Sequence, residues 1–173
     1  MLHQYTEVPT KSAIQAGVIL GLLVLVWTLI HGFTGWYKDP GMSWTFWMVV
    51  PFQVILLVWM LKNTKKQGFG YGQQVMAGLV MSVVAGAIIF VGSWLITTAV
   101  FPTYYADVRG MYEKVMVAKG WTPEQIGAAM EKQKSMMTPM GSSMMGFIGT
   151  TVTGLIVALI ASVLIRNRAT SMA

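Results

Sequence analysis

No cysteine occurs in the 173 residues, which excludes disulfides, thiol catalysis and Cys-ligated zinc or iron–sulfur centres. Charge is nearly as scarce: 10% of the residues are Asp, Glu, Lys or Arg, against about 25% in an ordinary soluble domain. The chain also lacks an HExxH sequence, a Ser/His/Asp set and paired carboxylates within its apolar runs, so hydrolysis has no visible nucleophile or base and no enzyme is expected. The net charge of +6 comes from basic residues placed singly or in threes. That arrangement forms no basic stripe and argues against a nucleic-acid partner. The glycines at Gly68, Gly70 and Gly72 lack the GK[ST] ending of a phosphate loop and read as linker.

What fills the space is hydrophobic residue, 55% of the total. Four stretches free of Asp, Glu, Lys and Arg, at 13–33, 42–61, 75–101 and 140–165, each meet the requirement of about 20 apolar residues for a spanning helix. The first is too long for the apolar core of a signal peptide and no small-x-small cleavage site follows it, so it reads as a retained span. The expected fold is an all-α integral membrane protein, a single membrane domain over 1–173. It has four transmembrane helices and an amphipathic helical hairpin at 102–139, between the third and fourth.

Positive charge in short loops sets orientation. Lys11, Lys62, Lys65, Lys66, Arg166 and Arg168 all fall beside the same end of the predicted bundle, which places both termini in the cytoplasm. The longer connection at 102–139 mixes Arg109, Lys114, Lys119, Lys132 and Lys134 with Asp107, Glu113, Glu124 and Glu131 and is compatible with export. Trp36, Trp44, Trp47, Tyr104 and Tyr105 are expected at the outer interface, and Trp59, Phe69 and Tyr71 at the inner one, as amphipathic rings prefer.

Within that connection Tyr104, Val108, Met111, Tyr112 and Val115 recur at helical spacing. Lys119 and Gly120 give a C-terminal stop. Thr122, Pro123, Glu124 and Gln125 then form a capping box with proline in the first turn, and Trp121 and Ile126 are placed to close a hydrophobic staple over it. The second helix is expected to run to Thr138 and Pro139, and the pair to lie as a hairpin on the membrane surface.

Lipid gives helices no hydrophobic reason to associate, so small residues that let backbones approach decide the packing. Ser142, Gly146, Thr150, Gly154, Ala158 and Ser162 repeat every fourth residue; Gly78, Ser82 and Gly86 do so in the third span, and Gly17 and Gly21 in the first. These three spans are expected to touch, and the same faces could serve self-association. Pro51 is expected to kink or unwind the second span, with Gln53 nearby as interhelical glue. His31, near the outer end of the first span, reads as a hydrogen-bonded or headgroup-facing histidine rather than a proton relay. Met130, Met136, Met137, Met140, Met144 and Met145 cluster around the last connection. Thioethers select Cu(I), but methionine is also a flexible filler, and helical spacing spreads these residues over more than one face.

The run from Tyr104-Tyr105 through Gly120-Trp-Thr-Pro-Glu-Gln-Ile126 to Lys134-Ser-Met-Met-Thr-Pro-Met-Gly141 resembles a bacterial four-span membrane family known as domain of unknown function 4199. The likeness is strongest from Val75 onward. It implies the four-span fold and a bacterial inner-membrane location, and it carries over no catalytic, cofactor-binding or metal-ligating residue. The expected role is a non-catalytic scaffold or accessory subunit of a larger membrane complex, bound to the lipid bilayer and to other membrane subunits. The alternatives are a small oligomeric transporter or channel and, behind it, a Met-rich Cu(I)-binding protein.

Overall fold

The computed structural model describes residues 8–170. Four of its helices are long and apolar enough to cross a membrane: Thr10–Thr34, Ser43–Lys66, Tyr71–Val100 and Pro139–Ile165. The chain is all-α among the described residues, with α1 at Thr10–Thr34, α2 at Val49–Lys66, α3 at Tyr71–Leu95, α4 at Tyr104–Ala118, α5 at Pro123–Gln133 and α6 at Pro139–Thr170. The four expected spans lie within these segments, apart from residues at their ends.

Helix ends follow local chemistry. The first span stops at Gly35, whose left-handed φ of 72° turns its amide onto the Gly32 carbonyl. The second opens as a 3₁₀ segment, Ser43–Met48, before α2 begins. Pro51 therefore sits in the first turn of α2, where the amide it lacks is least missed, and does not interrupt the α-helix. The unwinding expected there takes the form of the 3₁₀ segment just ahead of it. The basic connection is also shorter than expected: Lys62, Lys65 and Lys66 are still helical, and only 67–70 link α2 to α3.

Downstream of α3 the helix widens into a π-helical turn, Ile96–Val100, closed by the Phe101 amide on the Ile96 carbonyl at 2.9 Å. Pro102 then prevents continuation and forces Phe101 out of the α region. The excursion keeps its predicted punctuation. Gly120 takes φ 78°, the Thr122 amide donates to Gln125 Oε1 at 3.0 Å, and the Gln125 amide donates to the Thr122 hydroxyl at 3.4 Å. α5 ends at Gln133, earlier than expected. Thr138 caps the next helix from the position before it, its hydroxyl accepting from the Gly141 amide at 3.0 Å, with Pro139 in the first turn.

α3 is the central helix. It packs most extensively against α6 on one side and α1 on the other, while α2 closes the ring against α6 and α1. Small residues make this possible. A Cβ on Gly17 would lie 2.6 Å from the Met81 carbonyl of α3, and one on Gly154 would overlap the Ser82 hydroxyl. Ala13, Ala16, Leu20, Leu57, Leu61, Ala77, Met81, Ala85 and Ala158 form the dry centre. The expected contacts of the first and fourth spans with the third are present, and Gly17, Gly78, Gly86 and Gly154 each face a neighbouring helix of the same chain. Gly146 departs from the pattern, since a Cβ there would meet only Ile89, at an ordinary 3.5 Å.

Candidate functional site

The excursion is fastened to the turn between the first two spans. Asp107 of α4 receives Lys38 at 3.0 Å, the Tyr37 phenol at 3.1 Å and the Thr103 hydroxyl at 3.0 Å. The Tyr37 and Tyr104 rings stack with centroids 4.4 Å apart. Lys38 beside it, more than any other neighbour, holds the Asp107 carboxyl below the usual range. α4 thereby becomes a roof over one end of the bundle, with its own Met111 and Met116 buried.

Under this roof His31 is buried at 3% exposure, ringed by Trp27, Trp36 and Phe46. Its Nε2 lies 3.0 Å from the Thr45 hydroxyl. That hydroxyl gives its single proton to the Met42 carbonyl, so Nε2 is the donor to Thr45. The histidine thus pins the 3₁₀ opening of the second span to the first, the hydrogen-bonded role expected for it. The expected outer aromatic belt is partly turned inward: Trp36 packs on His31 and Trp27, while Trp44 and Trp47 remain exposed.

Between the spans lies a cavity of about 350 Å³. Its walls come from Val24 and Thr28 of α1, Val49 and Val50 of α2, the end of α3, and α6 from Ser142 to Thr153. Its floor is a seal. Gln53, 2% exposed, donates from Nε2 to the Thr150 carbonyl across the bundle at 2.6 Å, and Gly154 brings α6 against Ser82 and the same glutamine. Below the seal Leu57, Leu61 and Met81 are completely buried. A second chamber of about 480 Å³, reaching from His31 to Met137, shares Phe46, Trp47, Tyr104, Tyr105 and Ser142 with the first. Among the described residues neither lining contains Asp, Glu, Lys or Arg.

The polar groups here are mostly committed. The Thr28 and Thr97 hydroxyls donate to the Val24 and Ser93 carbonyls at 2.9 and 2.8 Å. Burial pushes the Tyr104 phenol up to about 12. It also raises Tyr105, against the Ser142 and Thr97 hydroxyls beside it. Ser143 differs: it lines the lower chamber, is 2% exposed, and its hydroxyl has no hydrogen-bond partner. Thr151 and Ser162 are also unpartnered but line neither chamber. A larger groove of about 710 Å³ between Ile14, Gln15, Trp59 and Lys66 is an outer surface at the opposite end.

The methionines divide among surfaces. Met137 is buried, Met136 and Met145 line one chamber each, and Met140 and Met144 are exposed. Among the described residues no three His, Asp or Glu side chains gather as metal ligands. Arg166 and Arg168 lie outside the described side chains. Sequence reasoning found His31 and Gln53 but missed Asp107 and Ser143, because nothing local marks either one.

Fold and site together define a four-span membrane protein whose interior is a roofed, uncharged cavity closed at one end. The chain belongs to the family described as protein of unknown function DUF4199, matched over residues 15–167. No curated protein and no solved structure matches it.

Proposed function

We propose that the chain is a non-catalytic multi-pass protein of the bacterial inner membrane, with both termini cytoplasmic, acting as an accessory or scaffold subunit of a larger membrane complex. The observation that carries this reading is α5. It is amphipathic in sequence, with Ile126, Ala129 and Met130 on one side, and these three are only partly covered by their own chain. An ordered, capped helix with an incompletely covered apolar side suits a partner. The seal at Gln53 supports the same reading, because it interrupts any path through the bundle. The orientation rests on Lys11, Lys62, Lys65 and Lys66 gathering at one end.

The test is purification in mild detergent followed by size-exclusion chromatography. A partner held at fixed stoichiometry, and lost on the double change Ile126→Glu and Met130→Glu, is expected. A chain that elutes alone from native membranes would refute the reading.

The cavity beside Gln53 favours a second reading, a small oligomeric transporter. Solute flux through liposomes containing only this chain, abolished by Gln53→Leu, would replace the first reading with the second.

A further inference from the structure

We infer that the lower chamber is a binding site for a neutral membrane amphiphile, an acyl or isoprenoid chain carrying an uncharged hydroxyl or carbonyl head. The volume of about 350 Å³ falls in the range of roughly 300–1,000 Å³ typical of small-molecule sites. The walls at Val49, Val50, Gly146 and Gly149 are smooth and apolar. Trp47 on the 3₁₀ opening of the second span and Met145 on α6 both line the chamber and are 71% and 49% exposed, so the chamber is reached from the flank between those two segments, which a bilayer would cover. A ligand can enter from the bilayer and leave its tail there.

The head is specified by what the walls lack and by what one residue has spare. With no cation in either lining, a phosphate or carboxylate would be buried without a counter-charge, which is costly. With no carboxylate, an ammonium head fares no better. The Ser143 hydroxyl, buried and unpartnered, is both donor and acceptor, and an orphaned buried hydroxyl carries a penalty that a ligand's polar atom removes. The hydroxyl is itself enclosed, so the ligand would meet it after a turn about its Cα–Cβ bond toward the chamber that Ser143 lines. This inference is independent of the accessory-subunit reading.

The test uses the full chain in phosphatidylcholine nanodiscs, with tryptophan fluorescence read during titration with a 1-monoacylglycerol brominated on its acyl chain. Saturable quenching is expected. A Cβ on Gly149 would meet nothing within 4 Å, so Gly149→Leu should keep the parent's melting temperature while filling the mouth and abolishing saturation. Ser143→Ala should shift the midpoint upward about fivefold, the worth of one hydrogen bond. A brominated phosphatidylglycerol should quench only in proportion to its mole fraction. Identical linear quenching by the monoacylglycerol in the parent and Gly149→Leu would overturn the site. Saturation by the anionic lipid at the same mole fraction would overturn the neutral head, and an unmoved midpoint in Ser143→Ala would overturn the role of that serine. If Gly149→Leu melts lower, the Ser143→Ala midpoint and the comparison of the two lipids decide.

Discussion

Gly154 and Gly146 occupy equivalent places in the α6 repeat and have unequal surroundings. A side chain on Gly154 overlaps the Ser82 hydroxyl, whereas one on Gly146 reaches only Ile89 at 3.5 Å. Gly154→Leu should therefore cost about 1–3 kcal/mol or more through overpacking, while Gly146→Ala should be nearly neutral, both read as unfolding in detergent. Gln53→Ala removes the bond to the Thr150 carbonyl and should cost about 0.6–1.7 kcal/mol, the range for interhelical hydrogen bonds in membranes. The four-residue period was visible in the sequence. Which of its members touch a neighbour depends on where two helices cross, and no single helix encodes that. Ser143 was invisible for the same reason, since an orphaned hydroxyl is defined only by what surrounds it.

Elements divide by whether their signals are local. The α5 capping box was readable because Thr122 and Gln125 satisfy each other within one turn. Thr122→Ala should cost about 1 kcal/mol, seen as faster amide exchange across 123–133. The fastening of α4 was not readable, because Lys38 and Tyr37 lie far along the chain from Asp107. Its pH dependence has a definite sign. The folded carboxyl titrates below its ordinary value, so its contribution is fully present above the ordinary carboxylate pKa and is lost as pH falls through the lower, folded one. The protection of α4 amides, taken relative to their intrinsic exchange rates at each pH, should fall on acidification below the ordinary carboxylate range, and Asp107→Asn should show the lowered protection already at neutral pH. The 3₁₀ opening of the second span escaped sequence reading because its composition is as apolar as the helix it precedes.

At the scale of the molecule, four uncharged runs were enough to give the all-α, four-span architecture, because the bilayer demands uninterrupted helices of a fixed length. The absence of cysteine makes the orientation directly testable. Lys65→Cys and Lys132→Cys introduce single thiols at opposite ends, and an impermeant maleimide applied to intact cells should label the second and spare the first. The reverse pattern would invert the topology.

The central place of α3 also bears on how the protein is made. The first two spans emerge from the ribosome with few contacts between them, and the small-residue face of α1 is built to fit a helix that has not yet been translated. A nascent chain halted before Tyr71 is a hairpin with no partner for Gly17 and Gly21, and it should be a substrate for membrane quality control until the third span arrives.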